Sequence, residues 1–314
     1  MNPVLKVILI VFGILAGLYV LQMILLSVIV YVKLLVRTSK KKWTRDCGFP
    51  DDEEYVKMFN IGLEWGEQWK DYKRDVDLYS GKYHLFGEYY DFGHDRAAII
   101  IAGRTEGLRY SYYFAEPYRR AGFNVLVIDN RSHGRSDGVV NSLGFKEYAD
   151  IIEWSKMLHD AFKNKSVWLH GICIGSEVAL FTAVADSCPD YVSGLTVDGM
   201  FTRFKESFLN HMTDDRRPKI APTFLMFWLM RVFSGANVVT DGPYKRIEKL
   251  KKPILMLHSR EDKYSIPPQA DYLYEHCTAP KELVWFESGK HSRIRINHTE
   301  KYDDAIISFL KKHA

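Results

Sequence analysis

The first strong pattern in the sequence is a long apolar stretch close to its amino end. Residues 7–32 carry no charge, and only Gln22 and Ser27 among them are clearly polar. The hydrocarbon core of a bilayer is about 30 Å thick, and roughly 20 apolar helical residues span it. The stretch therefore predicts a membrane-spanning helix with room for some tilt.

A cleaved signal peptide is the alternative interpretation of this stretch. The apolar region of a signal peptide usually covers about 7–15 residues and ends at a cleavage site made of small residues. Here the apolar run is longer, and the sequence KLLVRTSKKKWTR that follows it has no such site. We therefore expect a retained anchor, contained with its basic flank in residues 1–45, and not a secreted lipase with a cleaved leader.

Behind the anchor, short apolar runs alternate with amphipathic helical patterns. A linking helix is expected in residues 46–72, where Pro50 and four acids precede apolar residues at helical spacing. The runs that predict strands are 74–79, 85–92, 97–102, 124–129, 167–172, 192–197, 253–258 and 282–286. Helices are predicted at 110–120, 144–162, 176–186, 268–277 and 301–312. This alternation predicts an α/β domain in residues 73–314, with a mostly parallel eight-stranded sheet between helices.

One stretch, at about residues 200–247, interrupts this alternation. It contains no clear strand but is rich in Phe, Trp and Met, and it is too long for an ordinary loop. We expect a helical lid over the carboxyl edge of the sheet. A second membrane span is the alternative, but Arg231 interrupts the apolar run of residues 224–233, which is too short to cross a bilayer.

Positive charge is distributed unevenly around the predicted anchor, although the net charge of the chain is only +4. The amino side carries Lys6, whereas the carboxyl side carries a basic cluster of Lys33, Arg37, Lys40, Lys41, Lys42 and Arg45. Because cytoplasmic flanks collect Lys and Arg, we expect a single-pass protein of the cell membrane with its remaining chain in the cytoplasm. Beside an anchor, such a cluster indicates topology and some attraction to anionic lipid, and not a nucleic-acid site.

The candidate chemistry lies between the predicted strand 167–172 and the helix that follows it. There the sequence reads HGICIGS, with Gly171 and Gly175 two residues before and two residues after Cys173. Small residues at this spacing let a strand and a helix approach each other closely. The pattern is that of a nucleophile elbow, with Cys at the tip where Ser is usual. The N-terminus of a helix favours the thiolate form of such a thiol.

With three further stretches, residues 73–314 resemble the α/β-hydrolase superfamily. Residues 129–138 (DNRSHGRSDG) resemble the segment after the fourth strand of that family, and residues 258–267 (HSREDKYSIP) resemble its acid loop. Residues 289–291 (GKH) resemble its histidine loop, and the order nucleophile, acid, histidine also agrees. The nearest resemblance is to the serine-aminopeptidase-like and monoglyceride-lipase-like membrane-anchored hydrolases of bacteria, with Cys in place of the nucleophilic Ser.

The resemblance implies a catalytic triad of Cys173, His291 and Asp262. Cys173 would attack a carbonyl carbon, His291 would hold its proton and pass it to the leaving group, and Asp262 would orient the imidazole. The backbone N–H groups of Ile174 and Arg104 would form the oxyanion hole. In the family, the loop that supplies the second of these donors begins with His-Gly. This chain has Ala102 in the position of that His.

Several residues are alternatives to these assignments. Ser176 could be proposed as the nucleophile, but it falls in the first turn of the predicted helix, where packing or capping is expected. Glu261 and Asp198 compete with Asp262 for the role of the acid, and His298 competes with His291.

Other candidates have a structural interpretation. Cys173 could be an inert buried thiol in a degenerate elbow. His133 and His258 occupy motif positions where we expect hydrogen bonds that fix loops, and we also expect a structural role for His170.

These patterns predict a membrane-anchored hydrolase that cleaves an ester, thioester or small amide through an acyl-cysteine intermediate. A small-molecule or lipid-like acyl compound is the expected substrate. A non-catalytic membrane scaffold with a degenerate hydrolase fold and an acyltransferase that uses the same triad are the alternatives. We expect no cofactor and no metal, because the sequence has neither a phosphate-binding loop nor a cluster with metal-ligand spacing. Four scattered cysteines exclude a disulfide framework and a zinc ribbon.

Overall fold

A long apolar helix stands at the amino end of the computed structural model, which describes residues 2–314. Helix α1 (Pro3–Leu35) has 33 residues and is long and apolar enough to cross a membrane. Its large apolar side chains from Val4 to Ile29 are exposed, whereas Tyr31 and Leu35 in its last two turns are buried. Met1, the first residue of the predicted anchor segment, lies outside the described residues.

Eight strands form one twisted sheet. Their bounds are β1 Lys73–Ser80, β2 Tyr83–Tyr90, β3 Arg96–Ile101, β4 Asn124–Ile128, β5 Ser166–Ile172, β6 Val192–Asp198, β7 Ile254–Ser259 and β8 Lys281–Phe286. The strand order is β1-β2-β4-β3-β5-β6-β7-β8. Strand β2 runs antiparallel to β1 and β4, and the pairs from β4 to β8 are parallel. The predicted mostly parallel, eight-stranded sheet is therefore confirmed.

Helices connect the strands and cover both faces of the sheet. They are α2 Glu53–Gln68, α3 Leu108–Ser111, α4 Glu116–Arg120, α5 Tyr148–Asp160, α6 Ile174–Ala183, α7 Phe204–Asp214, α8 Ala221–Leu229, α9 Pro243–Arg246, α10 Pro267–His276, α11 Ile294–Asn297 and α12 Thr299–His313. One apolar cluster joins α5, α6, α8 and the end of α1 to the sheet, and the other joins α2, α3 and α12 to its opposite face. Helix α2 and the end of α1 are thus parts of the core.

The single helix predicted over residues 110–120 is wrong. Helix α3 ends at Ser111, a tight 3-10 turn covers Tyr112–Phe114, and α4 starts again at Glu116. Pro117 has no backbone N–H to donate, so it fits the first turn of a new helix better than the middle of an existing one. The break lets the aromatic residues of this segment pack against α2.

The segment between β6 and β7 is helical and contacts the apolar helix α1. Helix α8 continues into a wider turn at Met230–Ser234. The Ser27 hydroxyl donates to the Pro222 carbonyl oxygen over 3.0 Å, and the rings of Tyr31 and Phe233 lie 5.9 Å apart. The large side chains Phe224, Trp228 and Phe233 remain exposed beside α1.

The carboxyl end of α1 is held firmly by the rest of the chain. The last four carbonyl groups of a helix have no partner within the helix. In α1 they are residues 32–35, and each accepts a hydrogen bond from outside the regular helix. The Lys42 ammonium donates to three carbonyls, those of Val32, Lys33 and Val36, while Arg104 donates to that of Leu34 and the Asn141 N–H to that of Leu35. The helix end is therefore fixed relative to the domain.

A buried ion pair joins the last two helices. The Arg295 guanidinium donates two hydrogen bonds to the Asp303 carboxylate, over 2.7 and 2.9 Å, and a third to the Tyr113 carbonyl oxygen over 2.6 Å. Both charged side chains are almost completely buried. Removal of one partner from such a pair leaves the other charge in the core without compensation.

The variant Asp303→Ala should therefore lower the free energy of unfolding by about 3–5 kcal/mol. Asp304→Ala is the matched control, because this neighbouring carboxylate is exposed and its contact with Arg120 is worth at most about 1 kcal/mol. Denaturant unfolding of the full chain in detergent measures both. Equal losses in the two variants would contradict a special role of the buried pair.

Candidate active site

Cys173 lies at the tip of a sharp turn between β5 and α6. Its backbone has φ 55° and ψ −115°, a conformation that costs energy for any residue with a side chain. A Cβ on Gly171 would lie 2.2 Å from the Gly175 carbonyl oxygen, and one on Gly175 would lie 2.0 Å from that of Ile101. Both glycines are therefore required for the close crossing of strand and helix that presents the Cys173 side chain.

Ser176, the alternative nucleophile, is part of the scaffold of this turn. Its side chain is completely buried, and its hydroxyl lies 2.7 Å from the Gly171 carbonyl oxygen and 3.1 Å from that of Asp198. The Cys173 N–H donates to the same Asp198 carbonyl oxygen over 2.9 Å. The hydroxyl of Ser176 ties the elbow to β6, whereas the Cys173 side chain remains partly accessible.

Asp262 and His291 form a hydrogen-bonded pair across two loops. The Nδ1 atom of His291 lies 2.7 Å from Oδ2 of Asp262. The other carboxylate oxygen, Oδ1, accepts the backbone N–H groups of Tyr264 and Ser265 over 2.8 and 2.9 Å. These two bonds fix the carboxylate, and the carboxylate in turn orients the imidazole.

Burial and charge act in opposite directions on this pair. Burial alone would lower the pKa of His291, but Asp262 and, after it, Cys173 outweigh that effect and raise the pKa well above its ordinary value. Burial would raise the pKa of Asp262, yet the charge and hydrogen bond of His291 hold that pKa below its usual range. Each partner thus favours the charged form of the other.

Gly199 provides the space that the His291 ring occupies. A Cβ at this position would lie 3.0 Å from Cε1 and 3.1 Å from Nδ1 of His291, and the backbone has φ +65°. No motif in the sequence indicates this residue. Its place directly after β6, at the same sheet edge as the elbow, is the signal that could have indicated it.

The competing acids have other partners. Asp198 is fully buried and accepts the Tyr302 hydroxyl over 2.9 Å, and burial raises its pKa to about 7. Glu261 accepts the Gly289 N–H over 3.1 Å. The competing histidine, His298, lies directly before α12 and within 2.9 Å of the Ser288 hydroxyl. None of these three contacts joins an acid to His291.

The loop after β3 supplies a free backbone donor. The Arg104 N–H makes no hydrogen bond to another backbone group among residues 2–314. The Arg104 carbonyl oxygen, in contrast, lies 2.8 Å from Nε2 of His133, and the Ala102 carbonyl accepts the Asn130 side-chain amide over 3.2 Å. Ile174 begins α6, so its N–H has no partner within the helix. Both predicted oxyanion donors are thus unoccupied.

The two other motif histidines differ from each other. His133 bridges the carbonyls of Arg104 and Arg131, and Trp43 stacks on its ring at 4.9 Å. The prediction that His258 fixes a loop by hydrogen bonds is wrong, because neither of its ring nitrogens has a partner among residues 2–314. This ring instead packs 5.9 Å from that of Trp285, and burial lowers its pKa to about 4. His170 is also buried, 3.3 Å from the Tyr302 hydroxyl.

The Arg104 side chain connects the loop after β3 to α1. Its guanidinium donates to the Leu34 carbonyl oxygen over 3.1 Å. Burial lowers the pKa of Arg104, and the neighbouring Cys173 and Glu106 oppose that effect. The sequence motif predicts a role only for the backbone of this residue, because no local pattern relates its side chain to a helix 70 positions earlier in the chain.

A cavity of about 290 Å³ joins these groups. Cys173, Ile174, Arg104 and His291 line it, together with aromatic rings from α2 and from the segment after β6. Among residues 2–314, no group of three or more His, Cys, Asp or Glu side chains is arranged to hold a metal ion. The site can therefore hold a mainly apolar acyl group beside a thiol, an imidazole and two N–H donors.

Comparisons with known proteins agree with this architecture. The model of a family described as the alpha/beta hydrolase fold matches residues 99–240. The uncharacterized protein YqkD of Bacillus subtilis (strain 168) is 28% identical over 214 residues, which are 68% of this chain and 70% of that protein.

Similar solved structures come from bacteria, archaea and fungi. The Pyrococcus furiosus esterase Pf2001 has a TM-score of 0.66 at 22% identity and covers 79% of this chain and 94% of its own. The alpha/beta hydrolase GrgF of a Penicillium species has a TM-score of 0.61 at 16% identity, with coverages of 77% and 98%. The Exiguobacterium antarcticum esterase has a TM-score of 0.53 at 17% identity, with coverages of 73% and 96%. The sheet order, the elbow and these matches together show that the chain has the α/β-hydrolase fold.

Proposed function

We propose that the protein is a membrane-anchored hydrolase that cleaves an ester, thioester or small amide through an acyl-Cys173 intermediate. The observation that supports this proposal is that Cys173, on its left-handed turn, and His291, hydrogen-bonded to Asp262, line the same cavity. A hydrolase of the esterase type agrees with the fold of the similar proteins.

The proposed reaction has two halves. The Cys173 thiolate attacks the carbonyl carbon, and the negative oxygen of the tetrahedral intermediate accepts the Arg104 and Ile174 N–H groups. The intermediate then collapses, the C–S bond remains, and the leaving group departs with the proton of His291. In the second half, neutral His291 takes a proton from water, the hydroxide attacks the thioester, and the carboxylic acid leaves as the thiolate re-forms.

The anchor and the segment after β6 define the setting of this reaction. We propose that α1 crosses the cell membrane once, because its apolar length suffices and the basic cluster follows it. The domain then lies in the cytoplasm. The helices α7 and α8 act as a lid, because Phe204 and Phe208 line the catalytic cavity from this segment.

Incubation of the full chain with p-nitrophenyl esters and acyl thioesters should add one acyl group, as measured by intact mass. Cys173→Ala should abolish the adduct completely, and His291→Ala should form it slowly because the thiolate loses its proton partner. The control Cys188→Ala changes a half-buried thiol at the opposite end of the sheet and should label normally. An adduct that persists in Cys173→Ala would refute the assignment of the nucleophile. The lifetime of the adduct on the native chain, measured in water alone and with added thiols, separates hydrolysis from acyl transfer.

The pH dependence of acylation should identify the acid. Asp262 raises the pKa of His291, so the imidazolium of the native protein keeps its proton to higher pH than an ordinary histidine. In Asp262→Asn the proton is lost at lower pH, and the alkaline limb of the pH–rate profile should move to lower pH. Asp198→Asn, which removes the competing carboxylate, should leave this limb nearly in place. The opposite result for the two variants would assign the role to Asp198.

The predicted topology can be checked with carboxyl-terminal fusions. A fluorescent protein that matures only in the cytoplasm should be active, and a phosphatase that is active only after export should be silent. The comparison uses the same fusions on a variant in which Lys33, Arg37 and Lys40–Lys42 are replaced by Gln. Loss of these charges removes the orientation signal. An exported carboxyl end in the native sequence would overturn the cytoplasmic assignment.

A further inference from the structure

The catalytic cavity adjoins a second cavity that lies against the end of α1. This membrane-side groove has a volume of about 690 Å³, and Val28, Ile29 and Val32 of α1 form its apolar wall. Leu34, Arg104 and Thr105 line both the groove and the catalytic cavity. These three residues therefore lie between the apolar surface of α1 and the cavity that Cys173 lines.

On another side, the catalytic cavity adjoins a large open cleft of about 1040 Å³. Tyr264, His291 and Arg293 line both spaces. The cleft is lined mostly by charged and polar residues of both signs. Its acids have partners: Asp214 pairs with Lys263, Asp262 pairs with His291, and Glu261 accepts the Gly289 N–H. Three of its cations have no carboxylate within 4 Å among residues 2–314, namely Arg216, Arg260 and Lys290. Free cations in a concave surface attract an anionic group.

The groove is open at the level where the apolar surface of α1 ends. Residues 4–29 of α1 are mostly exposed and apolar, and Lys33 begins the basic cluster. Residues 28–32 thus correspond to the boundary between the acyl chains and the headgroups of one leaflet. Because the last four carbonyls of α1 are all bonded, the helix keeps its position and the groove keeps its shape.

The membrane-side groove, the catalytic cavity and the open cleft follow one another in this order, and together they match the shape and polarity of one amphiphile. An acyl chain can pass from the leaflet along Val28, Ile29 and Val32 without crossing water, which would cost free energy for each CH₂ group. Its ester carbonyl then reaches the site between Arg104 and His291, and a charged headgroup projects into the cleft.

We infer that the substrate is an anionic lipid ester whose acyl chain reaches Cys173 along the membrane-side groove and whose headgroup binds the cations of the cleft. This inference rests on the proposed function, and it adds the class of substrate and the path that it takes. The leaving group is the headgroup alcohol, which departs with the proton of His291, and the fatty acid is released when water cleaves the thioester.

The path is tested with full-length protein in phosphatidylcholine nanodiscs. Palmitoyl lysophosphatidylglycerol in the disc is the long-chain probe, and p-nitrophenyl butyrate in solution is the short one. Ile29→Trp fills the groove and should lower kcat/KM for the long-chain probe by about tenfold or more, with the short probe changed less than about twofold. Leu25→Trp is the matched control, because this exposed residue lies about one helical turn away and does not line the groove.

The headgroup site is tested in the same discs with a double variant, Arg216→Gln with Arg260→Gln. We expect KM for palmitoyl lysophosphatidylglycerol to rise about tenfold, because two free cations are lost, while KM for monopalmitoylglycerol stays the same. The second lipid has the same acyl ester but no phosphate. Lys311→Gln with Lys312→Gln, at the far end of α12, removes the same two charges and is the control for a change in net charge.

Each outcome decides one proposal. Equal rates of long-chain cleavage in Ile29→Trp and Leu25→Trp, or equal KM changes for the two palmitoyl lipids, would overturn the inference. Acylation of Cys173 by the short ester with no cleavage of either lipid would also overturn it. If the short ester leaves no acyl group on Cys173, the proposed function itself fails. The short-ester rate of each variant also reports whether that variant is folded.

Discussion

The site depends on the close crossing of β5 and α6. At this point the backbone of the strand, the first turn of the helix and the end of β3 approach so closely that side chains at Gly171 and Gly175 would overlap backbone atoms. The crossing forces Cys173 into its left-handed conformation and points the first N–H groups of α6 toward the same space. Bonds to β6, from the Cys173 N–H and the Ser176 hydroxyl, hold this geometry.

The parallel sheet brings the other groups to the same edge. The carboxyl ends of β3, β5, β6 and β7 lie side by side, so the loops that follow them carry Arg104, Cys173, Gly199 and Asp262 into one region. His291 comes from the loop after β8 and fits only because Gly199 lacks a side chain. The fold thus assembles groups that are almost 190 positions apart in the chain.

Much of this arrangement follows from local patterns in the sequence. Each buried strand is a short apolar run, and the elbow and the Asp262–His291 pair lie in short motifs whose order is itself informative. Contacts between distant segments leave no such pattern. The break of the helix near Pro117, the unpartnered ring of His258 and the space provided by Gly199 all depend on neighbours from other parts of the chain. Periodicity could therefore indicate the sheet and the motif residues, but not these details.

The bond from Arg104 to the Leu34 carbonyl has a consequence for how the protein can be divided. The end of α1 accepts a hydrogen bond from the side chain of Arg104, a residue that also lines the cavity beside Cys173. Removal of the apolar segment would leave that guanidinium half-buried without its acceptor, and the loop would be free to rearrange around it. The apolar segment is therefore not a separable tether, because a cut behind it also removes a hydrogen-bond acceptor of Arg104, which lines the same cavity as Cys173.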